Sequence, residues 1–276
     1  MRALLILTLL FIAASYKAEA QSDENIDYQL KGKVKSLVQS EYDINPKSKT
    51  IEKGKLLAKF YSTFNDKGNI IETIGYEPNG NIKYRTTFLY DSQGKNIEIK
   101  TFNPDGSLGG RETFGYNEQA KLSESNYYDF YKTHTSKTIF RYDSLGNLFE
   151  IISNSGNGVL NGKGEYKYNA AGKEIEHIRY NKLGKFDSKF TSNYDSLGNI
   201  SEYITYITMK TVFSTYKYKY DRDGFRTEEQ LFDKNNLSSR RLNYRYETDE
   251  TCNWIKKITY SYFKPKTITE RIITYY

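Results

Sequence analysis

A 26-residue repeat runs through most of this 276-residue chain and constrains its fold more than any other feature. The repeat is seen by aligning the aromatic residue that stands before a short polar turn. This anchor aromatic occurs at Phe64, Tyr90, Tyr116, Tyr142, Tyr168, Tyr194, Tyr220 and Tyr246. No insertion or deletion interrupts the spacing over eight units. A fixed period of this kind predicts an array in which each unit packs mainly on its neighbours.

Each unit carries two turn signals. The first follows the anchor aromatic at once, as at residues 143–146, where Asp143 is followed three positions later by Gly146. The Asx side chain caps a type I turn, and glycine tolerates the left-handed conformation that follows it. A second, looser turn begins twelve positions after the anchor, as at residues 76–80 and 102–106. The stretches between the turns are rich in Thr, Ile, Tyr and Phe, which is the composition of strands.

Two strands of about 8–9 residues and two tight turns therefore fill one unit. Eight units predict about sixteen strands in an antiparallel meander. We predict an all-β fold, a repetitive antiparallel β-hairpin array of eight 26-residue units that forms a curved or coiled sheet.

The two ends of the chain differ from the repeat. Residues 1–20 are expected to be a signal peptide, with Arg2 before a short apolar stretch and the A-x-A site at residues 18–20. Residues 21–58 are expected to form an N-terminal segment with a capping strand pair, at 34–43 and 51–63, and residues 59–276 the repeat domain. The last unit has Glu250 in place of glycine and Trp254 in place of glutamate, and is expected to be a C-terminal cap.

Aromatic side chains take the place of aliphatic ones in this sequence. The chain has 27 Tyr and 15 Phe, and many of them occupy a few phases of the repeat. Wide, flat side chains suit the thin interior that repeated hairpins enclose. The aromatic residues at most phases are therefore expected to form the core.

A ladder of carboxylates also follows the repeat. Eight positions after the anchor stand Glu72, Glu98, Glu124, Glu150, Glu176, Glu202 and Glu228. Five positions before the anchor stand Lys59, Arg85, Arg111, Lys137, Lys163, Lys189 and Arg241, with Thr215 as the gap. If these positions are diagonal neighbours on one face, they form weak cross-strand ion pairs rather than a catalytic or calcium site.

One aromatic column is the candidate binding site. It stands twelve positions after the anchor, at Tyr76, Phe102, Tyr128, Tyr180, Tyr206 and Phe232. Exposed rings in a row can stack on sugars, whereas buried rings at these positions would serve only the core. The core interpretation is favoured, because rings that recur in every unit usually serve the unit itself.

Few residues are suited to catalysis or metal binding. The chain has one Cys and two His, which excludes an internal disulfide framework and a three-His metal centre. His134 and His177 lie at different repeat phases and are expected to be ordinary strand residues, and Cys252 has no phased partner. We therefore predict no catalytic, cofactor-binding or metal-binding residues, no cofactor and no enzymatic activity. The formal net charge of +7 is spread over repeats that also carry Glu, so no nucleic-acid partner is expected.

The unit at residues 142–150, Tyr-Asp-Ser-Leu-Gly-Asn-Leu-Phe-Glu, and its counterpart at 194–202 resemble the YD repeat of RHS-type proteins. The resemblance implies a β-hairpin array that winds into a curved sheet or shell, in a secreted or surface-exposed protein. It also implies an association with carbohydrate binding and, in the large members, an enclosed toxin domain. This chain is short and no enzymatic domain follows the last repeat, so a toxin cargo is not expected. The composition is typical of an exported protein of the Bacteroidota type.

The leading functional prediction is an exported, non-enzymatic repeat scaffold that binds a protein or a polysaccharide at the cell envelope or outside the cell. The first alternative is a carbohydrate-binding module that uses exposed aromatic columns. The second is an outer-membrane β-barrel, which suits an even number of antiparallel strands and the terminal Tyr276. Frequent charges, and strands shorter than the ~9–11 residues of a membrane barrel, argue against membrane insertion.

Overall fold

The chain folds into eighteen β-strands in a single sheet. The structure is a computed structural model that describes residues 30–129 and 134–276, so the predicted signal peptide lies outside the described residues. The strands are β1 (Val34–Ile44), β2 (Lys53–Phe64), β3 (Ile70–Tyr76), β4 (Ile82–Tyr90), β5 (Asn96–Phe102), β6 (Leu108–Tyr116), β7 (Leu122–Asp129), β8 (His134–Tyr142), β9 (Leu148–Ser155), β10 (Leu160–Tyr168), β11 (Glu174–Asn181), β12 (Phe186–Tyr194), β13 (Ile200–Tyr206), β14 (Val212–Tyr220), β15 (Arg226–Asp233), β16 (Ser238–Thr248), β17 (Trp254–Ser261) and β18 (Lys264–Tyr275). In this part of the chain, no helix is long and apolar enough to cross a membrane.

Every strand pairs antiparallel with the next strand along the chain, and β1 pairs with β18. The sheet is therefore a closed barrel with up-and-down topology. The predictions of an all-β fold and of a repeated antiparallel hairpin are confirmed. The predicted curved or coiled sheet is closed into a barrel, and it has eighteen strands instead of about sixteen. The strand pairs expected to cap the two ends instead meet each other, with Val38 opposite Ile272 and Tyr42 opposite Ile268.

Closure also corrects the prediction that argued against membrane insertion. An open array leaves two strand edges with unpaired N–H and C=O groups, which lipid cannot satisfy. In this barrel the pairing of β1 with β18 removes both edges. A closed barrel is the one β-structure in which all backbone groups can be paired within a membrane. The prediction against membrane insertion is therefore wrong.

The predicted turn chemistry is present in the hairpins that follow the anchor aromatics. In one of them, the Asp91 carboxylate accepts hydrogen bonds from the backbone N–H groups of Gln93 and Lys95, at 2.9 and 2.8 Å. Gly94 adopts a φ of 81°, and its N–H donates to the carbonyl oxygen of Asp91. The Asx residue thus caps the turn, and glycine occupies the left-handed position.

The last of these turns is displaced by two residues. Tyr246 is not followed by a turn, because β16 continues to Thr248. Asp249 takes the Asx role, with its carboxylate accepting from the N–H groups of Thr251 and Asn253. Cys252 occupies the left-handed position at a φ of 61°. Glu250 and Trp254 therefore do not fill the repeat positions that their spacing suggested.

The two ends of the barrel differ in their hairpins. We call the anchor end the one that carries the turns after the anchor aromatics. The first and last described segments also lie there, since the Tyr276 N–H donates to the carbonyl oxygen of Lys33. We call the belt end the opposite one. It carries the nine hairpins that begin with β1–β2 and β3–β4 and end with β17–β18.

The strands alternate between a buried inner wall and a more exposed outer wall. In β6, Gly110, Glu112 and Phe114 are buried, while Arg111 and Thr113 between them are less buried. This period of two is expected for strands that enclose a space on one side. The inner wall carries aromatic rings together with Ser, Thr and Gly, and several rings lie flat over glycine. A Cβ atom on Gly75 would lie 2.5 Å from the ring of Tyr84, so only glycine fits beneath that ring.

Tyrosine hydroxyls tie several units to the unit before them. At the anchor end, the hydroxyl of the anchor tyrosine donates to the backbone carbonyl of the residue twenty positions earlier, at the start of the neighbouring strand. These bonds are Tyr116 to Asn96, Tyr142 to Leu122, Tyr194 to Glu174, Tyr220 to Ile200 and Tyr246 to Arg226, at 2.6–2.9 Å. A lysine crosses some of these rings, as Lys121 does over Tyr142 at 5.2 Å. The hydroxyl explains why the anchor is usually tyrosine rather than phenylalanine.

Removal of one such hydroxyl should have a measurable cost. Tyr142→Phe leaves the ring in place and removes the 2.9 Å bond to the carbonyl of Leu122. We expect the free energy of unfolding to fall by about 1 kcal/mol, measured by denaturant titration. Tyr76→Phe is the control, because the Tyr76 hydroxyl makes no hydrogen bond to the described residues. Equal effects of the two substitutions would contradict a role for the hydroxyl bond.

Candidate functional site

The charge ladder lies on the outer wall and forms cross-strand ion pairs. Glu98 faces Thr113 on the neighbouring strand, which makes Arg111 its diagonal neighbour. The diagonal pairs are Arg85–Glu72, Arg111–Glu98, Lys137–Glu124, Lys163–Glu150, Lys189–Glu176 and Arg241–Glu228, at 2.5–3.8 Å. The repeat therefore positions six carboxylates and six cations to neutralise each other rather than to bind a shared ion.

The surroundings of the carboxylates differ along the ladder. The side chain of Glu124 is more exposed than that of Glu228. A hydrogen bond from Lys137, and a smaller contribution from Asn126, lower the pKa of Glu124. Glu228 has only 11% of its side chain exposed and contacts both Lys219 and Arg241. Burial opposes the ionisation of Glu228, but the hydrogen bonds from the two cations outweigh it and lower the pKa.

Neutralisation should therefore cost more at Glu228 than at Glu124. Glu124→Gln breaks one exposed pair and should lower the free energy of unfolding by less than about 1 kcal/mol. Glu228→Gln removes the nearly buried negative charge that pairs with both Lys219 and Arg241. The free energy of unfolding should therefore fall by roughly 1–3 kcal/mol. Denaturant titration at neutral pH measures both. The reverse order of the two costs would contradict this account of the ladder.

The predicted binding column is also on the outer wall, close to the belt end. All six rings are half-buried, so they are neither core residues nor freely exposed. Each ring has a basic side chain beside it: Lys59 at Tyr76, Arg85 at Phe102, Arg111 at Tyr128, Lys163 at Tyr180, Lys189 at Tyr206 and Lys217 at Phe232, at 4.3–5.7 Å from the ring centroid. We call these six aromatic residues the aromatic belt.

The cations limit what the aromatic belt can do. A cation over a ring occupies the face that a sugar would use, and the pair is favourable by about 0.5–1 kcal/mol at exposed sites. The role of these rings in sugar stacking stays a prediction. The arrangement that is present, aromatic rings interleaved with long basic side chains around one end of a barrel, suits a boundary between apolar and aqueous surroundings.

The inner wall holds a buried carboxyl that the repeat did not predict. Glu112 is 7% exposed, and its Oε1 atom has no hydrogen-bond partner among the described residues. Burial raises the pKa of Glu112 to about 7. Other units place Thr86 or Thr138 at this phase. The signal in the sequence was a carboxyl residue at a repeat position that holds small or apolar residues in the other units.

The pKa of Glu112 makes stability depend on pH. A carboxyl whose pKa is higher in the folded than in the unfolded state is destabilising once it ionises, so stability falls as the pH rises from about 4.5 to about 7. Glu112→Gln removes this loss. Relative to the wild type, the variant should gain up to about 3 kcal/mol in unfolding free energy between about pH 5 and pH 8. Glu124→Gln is the control and should not gain over this range, because the pKa of Glu124 is lowered.

His177 is also on the inner wall and is only 2% exposed. It lies between Tyr166, at 4.3 Å between ring centroids, and Phe190, at 5.4 Å. Burial first, and the nearby charge of Arg179 second, lower the pKa of His177 to about 3, so the ring is neutral near pH 7. The stack of rings continues through Tyr203. His177 is thus a ring in the inner aromatic stack. His134 begins β8, and its side chain is outside the described part.

A cluster of charged side chains on the inner wall lies on β15 and β16. Glu229 accepts from Arg226 at 3.1 Å and from Arg240 at 2.6 Å. Arg226 also lies over the ring of Tyr218 at 4.3 Å. Within residues 30–129 and 134–276, no group of three or more His, Cys, Asp or Glu side chains is placed to hold a metal ion. Cys252 lies exposed in a turn at the anchor end.

Comparisons with known proteins place the chain in no family. No family model matches the sequence, and no curated protein matches it. Among solved structures, a porin-like protein from Bacteroides uniformis is similar, with 12% identity and a TM-score of 0.47 over 89% of this chain and 98% of that one.

Complexes that contain the RHS-bearing toxin component TccC3 are also similar. The TcdB2-TccC3-Cdc42 complex has 12% identity and a TM-score of 0.35, over 80% of this chain but only 15% of that one. The Tc holotoxin pore of Photorhabdus luminescens has 10% identity and a TM-score of 0.24, over 80% and 16%. No family model and no sequence match supports the resemblance to RHS proteins. All of these TM-scores are below 0.5, so the similarities do not indicate a function.

Proposed function

We propose that this protein is an exported β-barrel of the bacterial cell envelope whose belt end enters a membrane interface. The observation that carries the proposal is a closed ring of eighteen strands with an aromatic belt around the outside of one end. The barrel, which was the second alternative, replaces the exported binding scaffold as the leading function. The absence of enzymatic activity, and a protein or polysaccharide partner, stay predictions.

Closure makes contact with lipid compatible with the backbone. Exposed strand edges would place unsatisfied N–H and C=O groups in a medium without water, at several kcal/mol for each group. Here the hydrogen bonds of β1 run to β2 on one side and to β18 on the other. The barrel can therefore meet lipid with its side chains alone.

The composition of the aromatic belt supports an interfacial position. Tyr and Trp rings are enriched where membrane barrels cross from hydrocarbon to headgroups, because one side of the ring is apolar and the other is wet. Lys and Arg are suited to the same level, since their long stems stay with the apolar groups while their charges reach water. The pairing of Lys163 with Tyr180 and of Lys189 with Tyr206 combines both features.

The charge ladder sets how far the barrel enters. The ladder glutamates stand four residues from the belt on the same strands, about 13 Å away along the strand. A Lys or Arg at the centre of a bilayer costs about 2–4 kcal/mol, whereas the cost near the interface is close to zero. The belt, with the ladder cations beside its rings, therefore marks the membrane boundary, and the ladder glutamates lie on its aqueous side.

Fractionation of the native envelope tests this function. We expect the protein in the membrane fraction, retained through high salt and released by mild detergent. Loss of two rings, in Tyr180→Ser/Tyr206→Ser, should increase the share released without detergent, because burial of apolar ring area at the interface is lost. Asn154 occupies the same phase of the repeat without a ring, so Asn154→Ser is the matched control and should behave like the wild type.

The converse substitution sharpens the test. Asn154→Tyr adds a ring at the one described gap in the belt between Tyr128 and Tyr180, and should reduce release without detergent. Recovery of the folded wild-type protein entirely in the soluble fraction would rule out the proposed function. Equal release of the wild type and the two-ring variant would rule out the role given to the belt.

A further inference from the structure

The hairpin tips at the belt end expose large apolar side chains along one arc. Six of them lie on four consecutive hairpins, from β11–β12 to β17–β18: Leu183, Ile207, Met209, Phe213, Leu237 and Phe263, with 47–71% of each residue exposed. Because successive hairpins are neighbours around the ring, these residues form one continuous stretch of the rim. We call it the apolar arc.

Two hairpins on the other side of the belt end provide the contrast, whereas Val159 on β9–β10 and Ile51 on β1–β2, next to the two ends of the arc, are also exposed. At the same end, the tips of β3–β4 and β5–β6 read Glu-Pro-Asn-Gly-Asn and Asn-Pro-Asp-Gly-Ser, which are polar and carry Glu77 and Asp105. At the anchor end, Leu145 and Leu197 are exposed leucines at the centre of a turn. Polar turns thus suffice at the belt end, and the exposed leucines of the anchor end stand on separate turns, so apolar tips on four consecutive hairpins require another reason.

The β17–β18 hairpin shows that the apolar tips are not the best turn formers. Tyr262 and Phe263 adopt φ values of 47° and 67°, in the left-handed region. Gly and Asn are the usual residues there, because bulky side chains pay a steric cost. Aromatic residues at both positions expose apolar surface at the expense of the turn. Contiguous exposed apolar surface of this kind usually marks an interaction site.

The arc is also basic. Its hairpins carry the exposed lysines Lys182, Lys185, Lys210, Lys234 and Lys264. No ion pair within the described residues involves any of these five lysines. Two acidic residues, Asp187 and Asp233, share these hairpins, and the Asp233 carboxylate is turned towards the N–H groups of Asn235 and Leu237. The arc thus combines apolar tips with free positive charge.

We propose that the apolar arc docks on an anionic lipid surface. Apolar side chains that enter the headgroup region, alternating with lysines that meet lipid phosphates, are the pattern of interfacial binding. Each tip stands on its own hairpin, so the tips can enter a lipid surface separately. This inference rests on the proposed function, and adds which part of the belt end makes contact and which lipid charge it prefers.

Vesicle flotation with the folded chain tests the docking. The probes are vesicles of phosphatidylcholine alone and vesicles of an equal mixture of phosphatidylcholine and phosphatidylglycerol. We expect the protein to bind the anionic vesicles. Partition to these vesicles should be at least about tenfold weaker at high salt, because salt screens the attraction between lysines and an anionic surface. Equal binding to both kinds of vesicle would overturn the preference for anionic lipid, and no binding to either would overturn the docking itself.

Two sets of variants assign the contact to the arc. Leu183→Ser/Leu237→Ser removes two apolar tips, and Lys182→Gln/Lys234→Gln removes two charges. Each should weaken partition to the anionic vesicles at least about tenfold. The matched controls at the anchor end are Leu145→Ser/Leu197→Ser for the tips and Lys67→Gln/Arg222→Gln for the charges, all at exposed turns, and they should bind like the wild type. Unchanged circular dichroism and melting temperature check that each variant folds.

The outcomes separate the docking from the proposed function. If the belt variant Tyr180→Ser/Tyr206→Ser weakens membrane retention and the arc variants do not weaken flotation, the arc inference is wrong and the proposed function stands. If the arc variants weaken flotation and the belt variant changes nothing, the belt assignment is wrong and the arc stands. Should a double variant fail to fold, Leu183→Ser and Leu237→Ser alone serve, with each compared with Leu145→Ser.

Discussion

The pairing of β1 with β18 is the interaction on which the rest of the structure depends. Without it, eight repeats would form an open sheet with two hydrogen-bonding edges and no reason to stop at this number of units. With it, an even number of antiparallel strands closes, and the chain acquires an inside and an outside. Residues of one repeat phase then become a ring, so that the ladder and the aromatic belt encircle the barrel.

The period of 26 residues determines what each ring contains. Because every unit spans two strands, a residue type that recurs at one phase always faces the same wall at the same height. Glutamates and basic residues at two outer phases meet as diagonal pairs between neighbouring strands. Tyrosines at the anchor phase face the inner wall and tie one unit to the previous one. Much of the tyrosine excess therefore serves the joints between units rather than a single core.

The parts of the fold that follow from local chemistry could be predicted, and those that need distant contacts could not. Asp91 and Gly94 define their turn by side-chain capping and backbone freedom, which sequence shows directly. Val38 and Ile272 are opposite each other across the closing seam, but nothing in either segment signals the other. The candidate column was found by its phase, while its cation partners and half-buried state required the structure. The apolar arc was missed because its residues sit in turns, outside the repeat phases that were compared.

The distribution of charge determines how the barrel would lie on a membrane. On the outer wall the ladder glutamates are paired with cations, so the wall carries many charges but little free charge. Lys182, Lys210 and Lys234 instead lie at the hairpin tips, and none of them forms an ion pair with a described residue. Attraction to an anionic surface therefore acts mainly at the belt end, on one side of its rim. The opposite arc of that rim carries Glu77, Lys83 and Asp105, which give it no excess of positive charge, so the barrel should approach the membrane tilted towards the apolar arc.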